Sequence, residues 1–300
     1  MTDTKYTYSE IFYSVQGEGK YTGVPSAWLR MFLCNLQCNG FGQKDPTNPA
    51  TYELPYELLN VKNYTNLEDL PVFDKGCDSS YSWSKKYKHL CPSETASQIA
   101  DKIIDSMRTE WNPDGLFSHP SGLEQHMCFT GGEPLLKKSQ LCIVEVMDEF
   151  FDRCNVPQFI TFETNGTQDL TLAMKHMIED CEIEDIETFF SISPKLFSVS
   201  GESPLKAICP SVVTEYWRHS SKGQLKFVVN GTQQAWDEVT EAVELFRKEG
   251  VGYPVYIMPV GATLENQQTV AGDIAREAFQ RGYNVSARVH CYLWGNTIGV

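Results

Sequence analysis

His126-Met127-Cys128-Phe129-Thr130-Gly131-Gly132-Glu133-Pro134-Leu135 is the stretch on which the fold class turns. His126 to Thr130 is a short, largely apolar run closed by two glycines and a proline, too brief for a helix and typical of a buried strand. Leu141 to Phe151 follows with helical spacing, and upstream Ser93 is placed to cap a helix in which Ala96, Ile99, Ala100, Ile103, Ile104 and Met107 share one face. The alternation continues toward the C-terminus. Phe159 to Glu163, Phe189 to Ser193, Leu225 to Val229, Val255 to Met258 and finally Val285 to Leu293 read as extended, separated by the helical stretches Leu170 to Ile178, Trp236 to Phe246 and Val270 to Phe279. Repeated strand-helix units predict an α/β chain with a parallel sheet, doubly wound or curved into a barrel. Ile11 to Val15 and Trp28 to Phe32 supply the first strands.

Two stretches interrupt this rhythm, at about 41–76 and 111–122; both are rich in turn-forming residues and are expected as insertions on the surface of one domain spanning 1–300. The 300 residues are 41% hydrophobic and 21% charged, an ordinary globular mixture. With 25 basic against 39 acidic residues the net charge is −14, which argues against stable binding to nucleic acid or an anionic membrane. There is no apolar run of spanning length and no signal-peptide pattern at the start, so a soluble, cytoplasmic protein is expected.

Ten cysteines are too few for a disulfide scaffold of this length. Cys142, Cys154, Cys181 and Cys209 are scattered and read as small apolar residues. Cys34-Asn35-Leu36-Gln37-Cys38 instead places two thiols close together after a strand, a spacing compatible with a metal centre, with half of a zinc site, or with coincidence. Its company narrows the choice. Ser14-Val15-Gln16-Gly17-Glu18-Gly19, Tyr21-Thr22-Gly23-Val24-Pro25 and Arg30 precede it. Gly76-Cys77-Asp78-Ser79-Ser80-Tyr81-Ser82-Trp83, the Gly131-Gly132-Glu133-Pro134 turn, Glu163-Thr164-Asn165-Gly166-Thr167 and the tail Trp294-Gly295-Asn296-Thr297-Ile298-Gly299-Val300 follow.

In this order the motifs resemble the 7-carboxy-7-deazaguanine synthases, radical S-adenosylmethionine (SAM) enzymes of the queuosine and deazapurine pathway. The resemblance implies an incomplete (β/α) barrel with ligands at the carboxyl ends of the strands. It also implies a 4Fe-4S cluster held by three cysteines, whose fourth iron binds the amino and carboxylate groups of SAM. Two features depart from the family pattern: Phe41 stands where its third cysteine would be, and Leu33 replaces the glycine that commonly precedes the first. Cys77, followed by Asp78 and Ser79, carries the continuation expected of the third ligand, and Cys91 and Cys128 are its rivals. Thirty-eight residues then separate Cys38 from Cys77 where the family has two, and closing that longer loop costs about 2 to 3 kcal/mol if the segment is flexible.

By the same resemblance, SAM is expected at Gly76, Cys77, Asp78, Gly132, Glu133, Ser193, Pro194 and Lys195, and Mg²⁺ at Ser79. The substrate, 6-carboxy-5,6,7,8-tetrahydropterin, is expected at Val15, Gln16, Gly17, Glu18, Arg30, Thr130 and His290, with Glu163 of lesser weight. Chemical complementarity agrees: Glu18 and Gln16 can pair with a guanidine-like ring edge, and Arg30 with an anionic or carbonyl group. Each also has a plainer role, Gly131-Gly132 as a turn, Pro194 as a strand end, Arg30 as an ion pair and His290 as a core histidine. The implied reaction is an Mg²⁺-dependent radical ring contraction to 7-carboxy-7-deazaguanine with loss of ammonia and regeneration of SAM. An electron donor such as flavodoxin and a homodimer are implied as well. A glycyl-radical activating enzyme shares the cysteine and glycine motifs, and a zinc-stabilised binding protein built on Cys34, Cys38, Cys77 and a histidine is the alternative from another class.

Overall fold

A computed structural model describes residues 4–295 and 297–299; Met1 to Asp3 of the start and Asn296 and Val300 of the tail motif lie outside the described residues. Nine strands form one sheet: β1 (Tyr6–Val15), β2 (Pro25–Met31), β3 (Ser93–Glu94), β4 (His126–Gly131), β5 (Phe159–Thr164), β6 (Glu187–Ile192), β7 (Gly223–Val229), β8 (Val255–Pro259) and β9 (Asn284–Val285). Their order is β3-β1-β2-β4-β5-β6-β7-β8-β9, with β3 and β9 as the two edges, so the sheet is not closed. From β2 to β9 all neighbours are parallel, whereas β1 runs antiparallel to both β2 and β3. The parallel part follows from the long crossover helices Lys137–Asp152, Leu172–Ile183, Gln233–Lys248 and Ala271–Gln280, because parallel strands need connections of that length.

Alternation along the strands divides the sheet into two chemically distinct faces. Leu29, Met127, Phe129, Ile160, Phe162, Phe190, Leu225 and Phe227 are buried in the main apolar core. Phe129 stacks on Phe162 at 5.8 Å between ring centroids, and Phe190 on Tyr216 of the neighbouring helix Pro210–His219 at 4.7 Å. The intervening residues Arg30, Cys128, Thr130, Thr161, Glu163, Ser191, Gln224 and Lys226 are polar or thiol-bearing, and the site is built on that side.

The elements predicted from sequence are present with three corrections. The helix Ala96–Ser106 is capped by Thr95, not Ser93: Thr95 Oγ1 accepts from the Gln98 backbone and the Gln98 side chain returns to the Thr95 N–H, while Ser93 belongs to β3. The stretch Val285 to Leu293 is not one strand, since β9 ends at Val285 and Val289–Trp294 is a short helix. The segment 111–122 is not confined to the surface. Phe117 within it is fully buried against Phe150 at 5.1 Å, and its N–H is held by Asn155 Oδ1.

The other interruption, 41–76, is a series of short turns with an apolar cluster of its own. Tyr56, Val61, Leu67, Leu70 and Phe73 pack there with Tyr81, Tyr87 and Ile298. Its ends meet: the Gly76 N–H donates to the Phe41 carbonyl at 2.8 Å. Gly42 has φ +67°, and a Cβ there would lie 2.2 Å from the Asp74 carbonyl, so glycine permits the second point of contact between the two legs.

Candidate functional site

That closure returns the chain to its starting point and sets the geometry of the thiols. Cys34 and Cys38 lie on the loop after β2 and Cys77 follows Gly76; all three line one cavity of about 660 Å³ at the carboxyl ends of the parallel strands. They also share an apolar surround of Leu36, Phe41 and Ala207. Cys91 and Cys128 do not line it: Cys91 approaches Ser9 Oγ and the Tyr87 carbonyl, and Cys128 is buried in β4 beside Gln16. The loop carrying Cys34 and Cys38 is held from below by Glu202, whose Oε1 accepts from the N–H groups of Gln37 at 2.7 Å and Cys38 at 2.8 Å. Burial, and then the neighbouring Glu133 charge, push the Cys34 thiol up to about 12, and burial raises Cys38 and Cys77 as well. Empty thiols in such surroundings stay protonated, and a metal centre is what stabilises them as thiolates.

Around the thiols the strand-end loops pack closely. A Cβ on Gly132 would lie 2.2 Å from the Leu33 carbonyl oxygen, so glycine is required for the loop after β4 to meet the loop after β2. Glu133 has a different place from the one expected. It is fully buried and does not line the cavity. Its Oε1 accepts from Thr164 Oγ1 at 2.7 Å and the Leu135 N–H at 2.9 Å, and its Oε2 from the Asn165 N–H at 2.8 Å. The carboxylate therefore joins the ends of β4 and β5. Gly76, Cys77, Asp78, Gly132, Ser193 and Lys195 line the cavity, whereas Pro194 does not. Lys195 Nζ donates to Ser193 Oγ at 3.0 Å and stands 5.8 Å from the Phe41 ring centroid, which puts a cation beside the thiols.

A second, smaller cavity of about 160 Å³ adjoins the first, and Glu18, Asp78, Ser79, Thr130, Glu163 and Arg288 belong to both walls. The structure brings Val15, Gln16, Gly17, Glu18, Arg30, Thr130 and His290 together there. They come from the end of β1 and the turn after it, from β2, from β4 and from the C-terminal segment. Contact between the first and last of these needs Gly17: the Val289 N–H donates to its carbonyl at 2.9 Å, and a Cβ on it would lie 2.1 Å from His290 Nδ1. Burial, reinforced by repulsion from Arg288, lowers His290 to about 4 and keeps it neutral near pH 7.

Sequence reasoning did not find the two basic residues that organise this wall. Lys226 Nζ bonds Glu18 Oε2 and lies 3.0 Å from Glu163 Oε2; Arg288 reaches Glu18 Oε1 at 3.0 Å and Asp78 Oδ2 at 2.7 Å. Gln16 Nε2 completes the set by donating to Glu163 Oε1 at 3.2 Å. The Glu18 carboxyl, although buried, is held far below the usual range by Lys226 and then Arg288. A signal for Lys226 was present, the one charge of its strand, between the buried Leu225 and Phe227. Arg288 has no such mark.

Fold and site together define an α/β protein with a largely parallel sheet, a three-thiol cavity at its strand ends, and a chamber lined by acids and arginines beside it. No family model matches the chain. In architecture it is similar to the crystal structure of QueE from Escherichia coli, with a TM-score of 0.51 and 15% identity over 94% of this chain and 93% of that one. Curated relatives carry the name 7-carboxy-7-deazaguanine synthase. The one from Rhodopirellula baltica is 26% identical over 97% of this chain and 87% of its own length, and the one from Halobacterium salinarum is 24% identical over 96% and 90%. The resemblance carried by the motifs thus extends to homologues of that name along most of the chain.

Proposed function

We propose that the chain is a 7-carboxy-7-deazaguanine synthase, one domain over 1–300 built as an incomplete (β/α) barrel, that converts 6-carboxy-5,6,7,8-tetrahydropterin to 7-carboxy-7-deazaguanine with release of ammonia. The observation that carries the reading is convergence: residues from four separated segments meet in one chamber, and that chamber shares a wall with the three thiols. The donor set suits a cluster better than a single ion. The zinc alternative needs a histidine beside the thiols, and none is among the described residues that line their cavity, whereas three thiolates with one iron left open suit a 4Fe-4S cube. Cys34, Cys38 and Cys77 are the proposed ligands.

Bound there, the cluster and SAM would supply one-electron reduction and hydrogen abstraction, chemistry that belongs to the cofactors. The chain's own residues position and shield. Gly132 lets the loops close over the thiols, Ser193 and Lys195 offer a hydroxyl and a cation to the polar groups of SAM, and Gly76 and Asp78 offer backbone groups and a carboxylate. Glu133 serves this reading indirectly by fixing the loop that presents Gly132. In the smaller chamber Glu18 and Gln16 accept and donate along the aminopyrimidinone edge, Val15 and Gly17 offer backbone groups, and Thr130 and the neutral His290 supply further polar contacts. Lys226 and Arg288 keep Glu18 ionised, and Lys226 also bonds Glu163, so the acceptor side of the chamber does not have to be prepared when substrate enters. Ser79, on the wall common to both cavities, is the proposed Mg²⁺ ligand; the substrate carboxylate and water must complete the shell, because one hydroxyl is a poor magnesium site. An electron donor such as flavodoxin, a homodimer and a cytoplasmic setting belong to the same proposal.

Anaerobically reconstituted protein given SAM, reductant, Mg²⁺ and the carboxylated tetrahydropterin is expected to release the deazaguanine, read by mass spectrometry. SAM cleavage without that product would move the assignment to the glycyl-radical activating enzymes.

A further inference from the structure

β1 carries one extra residue: Tyr8 pairs with Met31, but Glu10 pairs with Arg30, leaving Ser9 as a bulge. A bulge re-aims the side chains that follow it. Tyr8 therefore stays in the apolar core while Glu10, two positions on, faces the smaller chamber directly across from Arg30. Glu10 Oε1 accepts from Arg30 Nε at 2.5 Å and from the Tyr81 hydroxyl at 3.0 Å. The guanidinium carbon of Arg30 also lies 5.6 Å from the Phe12 ring centroid and 5.8 Å from that of Tyr81. Nε is thus committed to Glu10 and aromatic rings flank the group, while Nη1 and Nη2 have no hydrogen-bond partner among the described residues. A guanidinium held in this way presents its remaining two-nitrogen edge to a planar oxyanion with little freedom left to lose.

We propose that Glu10 and Tyr81 are positioning residues that act through Arg30 and make the smaller chamber selective for a pterin that bears a carboxylate; this rests on the pterin reading above. Tyr81 lies only four residues beyond Cys77, so the segment that supplies the third thiol also braces the arginine.

The test compares binding of 6-carboxypterin and unsubstituted pterin to the reconstituted protein, by quenching of pterin fluorescence. The parent is expected to prefer the carboxylated ligand, and Glu10→Gln to lower that preference about tenfold, the scale on which misalignment weakens a charge-assisted hydrogen bond. Tyr81→Phe, which keeps the ring, should lower it by a smaller factor. In an Arg30→Ala background, Glu10→Gln should leave the remaining preference unchanged, because a residue that works through the arginine has nothing left to position. An equal loss for both pterins, or the same loss of preference with and without Arg30, would overturn the proposal. Failure of the parent to bind either pterin would instead overturn the functional reading, and this proposal with it.

Discussion

Leu33 adopts φ +88°, a left-handed conformation unusual for a residue with a branched side chain. The strain is local and the side chain is 40% exposed, so little packing is lost on removing it. Leu33→Gly is expected to raise stability by up to about 1 kcal/mol, the relief of strain exceeding the added freedom of the unfolded chain; urea unfolding reads it. Gly17→Ala should act in the opposite direction, since the new methyl group takes the place of His290. His290 also sets a pH dependence. Its folded value near 4 lies below the ordinary 6.5, so the unfolded chain takes up the proton first. Its contribution is fully present above pH 6.5 and is lost as the pH falls toward 4, by roughly 2–3 kcal/mol. His290→Gln should flatten that part of the stability profile. Residue identity alone could nominate His290, but not its neutrality, which depends on its burial and then on Arg288 beside it.

At the scale of elements, the alternation of strands and helices was legible because each crossover helix has a continuous apolar face and each strand a short buried run. The departures have physical causes. Thr95 outcompetes Ser93 as a cap because Gln98 stands three residues beyond it and closes a reciprocal pair of hydrogen bonds. The last strand is shorter than expected because Val285 to Leu293 suits either conformation, and the Arg288 contacts hold the chain beyond Val285 to Glu18, Gly261 and Asp78. The return of segment 41–76 to its own starting point could not be read from composition, since it depends on backbone contacts at Gly42 and Gly76. The functional consequence is testable at this scale: Cys77→Ala is expected to abolish retention of iron and sulfide after reconstitution, and Cys91→Ala to leave it intact. The reverse pattern would remove Cys77 from the ligand set.

Across the molecule, the turn after β1 works as a plug. Tyr21 packs against His126 at 4.8 Å and Phe189 at 4.9 Å, near the strand starts, while the Gly19 N–H reaches Ser286 Oγ at 2.8 Å on the far side of the sheet. Glu18 in the same turn joins β7 through Lys226 and the C-terminal segment through Arg288, so regions distant in sequence depend on a few buried charges. Lys226→Met should cost about 3–5 kcal/mol, because it leaves Glu18 and Glu163 facing each other without the cation between them. Denaturant unfolding would measure it. Far smaller losses would mean that water replaces the ammonium.

The meeting of Phe41 and Gly76 has one more implication. A polypeptide that leaves and re-enters a structure at a single point can lengthen or shrink between those gates while its ends stay fixed, provided its packing on Tyr81, Tyr87 and Ile298 is kept. Patterns that demand a fixed gap between the second and third cysteines will pass over chains of this kind. A search that tolerates an arbitrary excursion, provided both portals are glycine-hinged, would retrieve them.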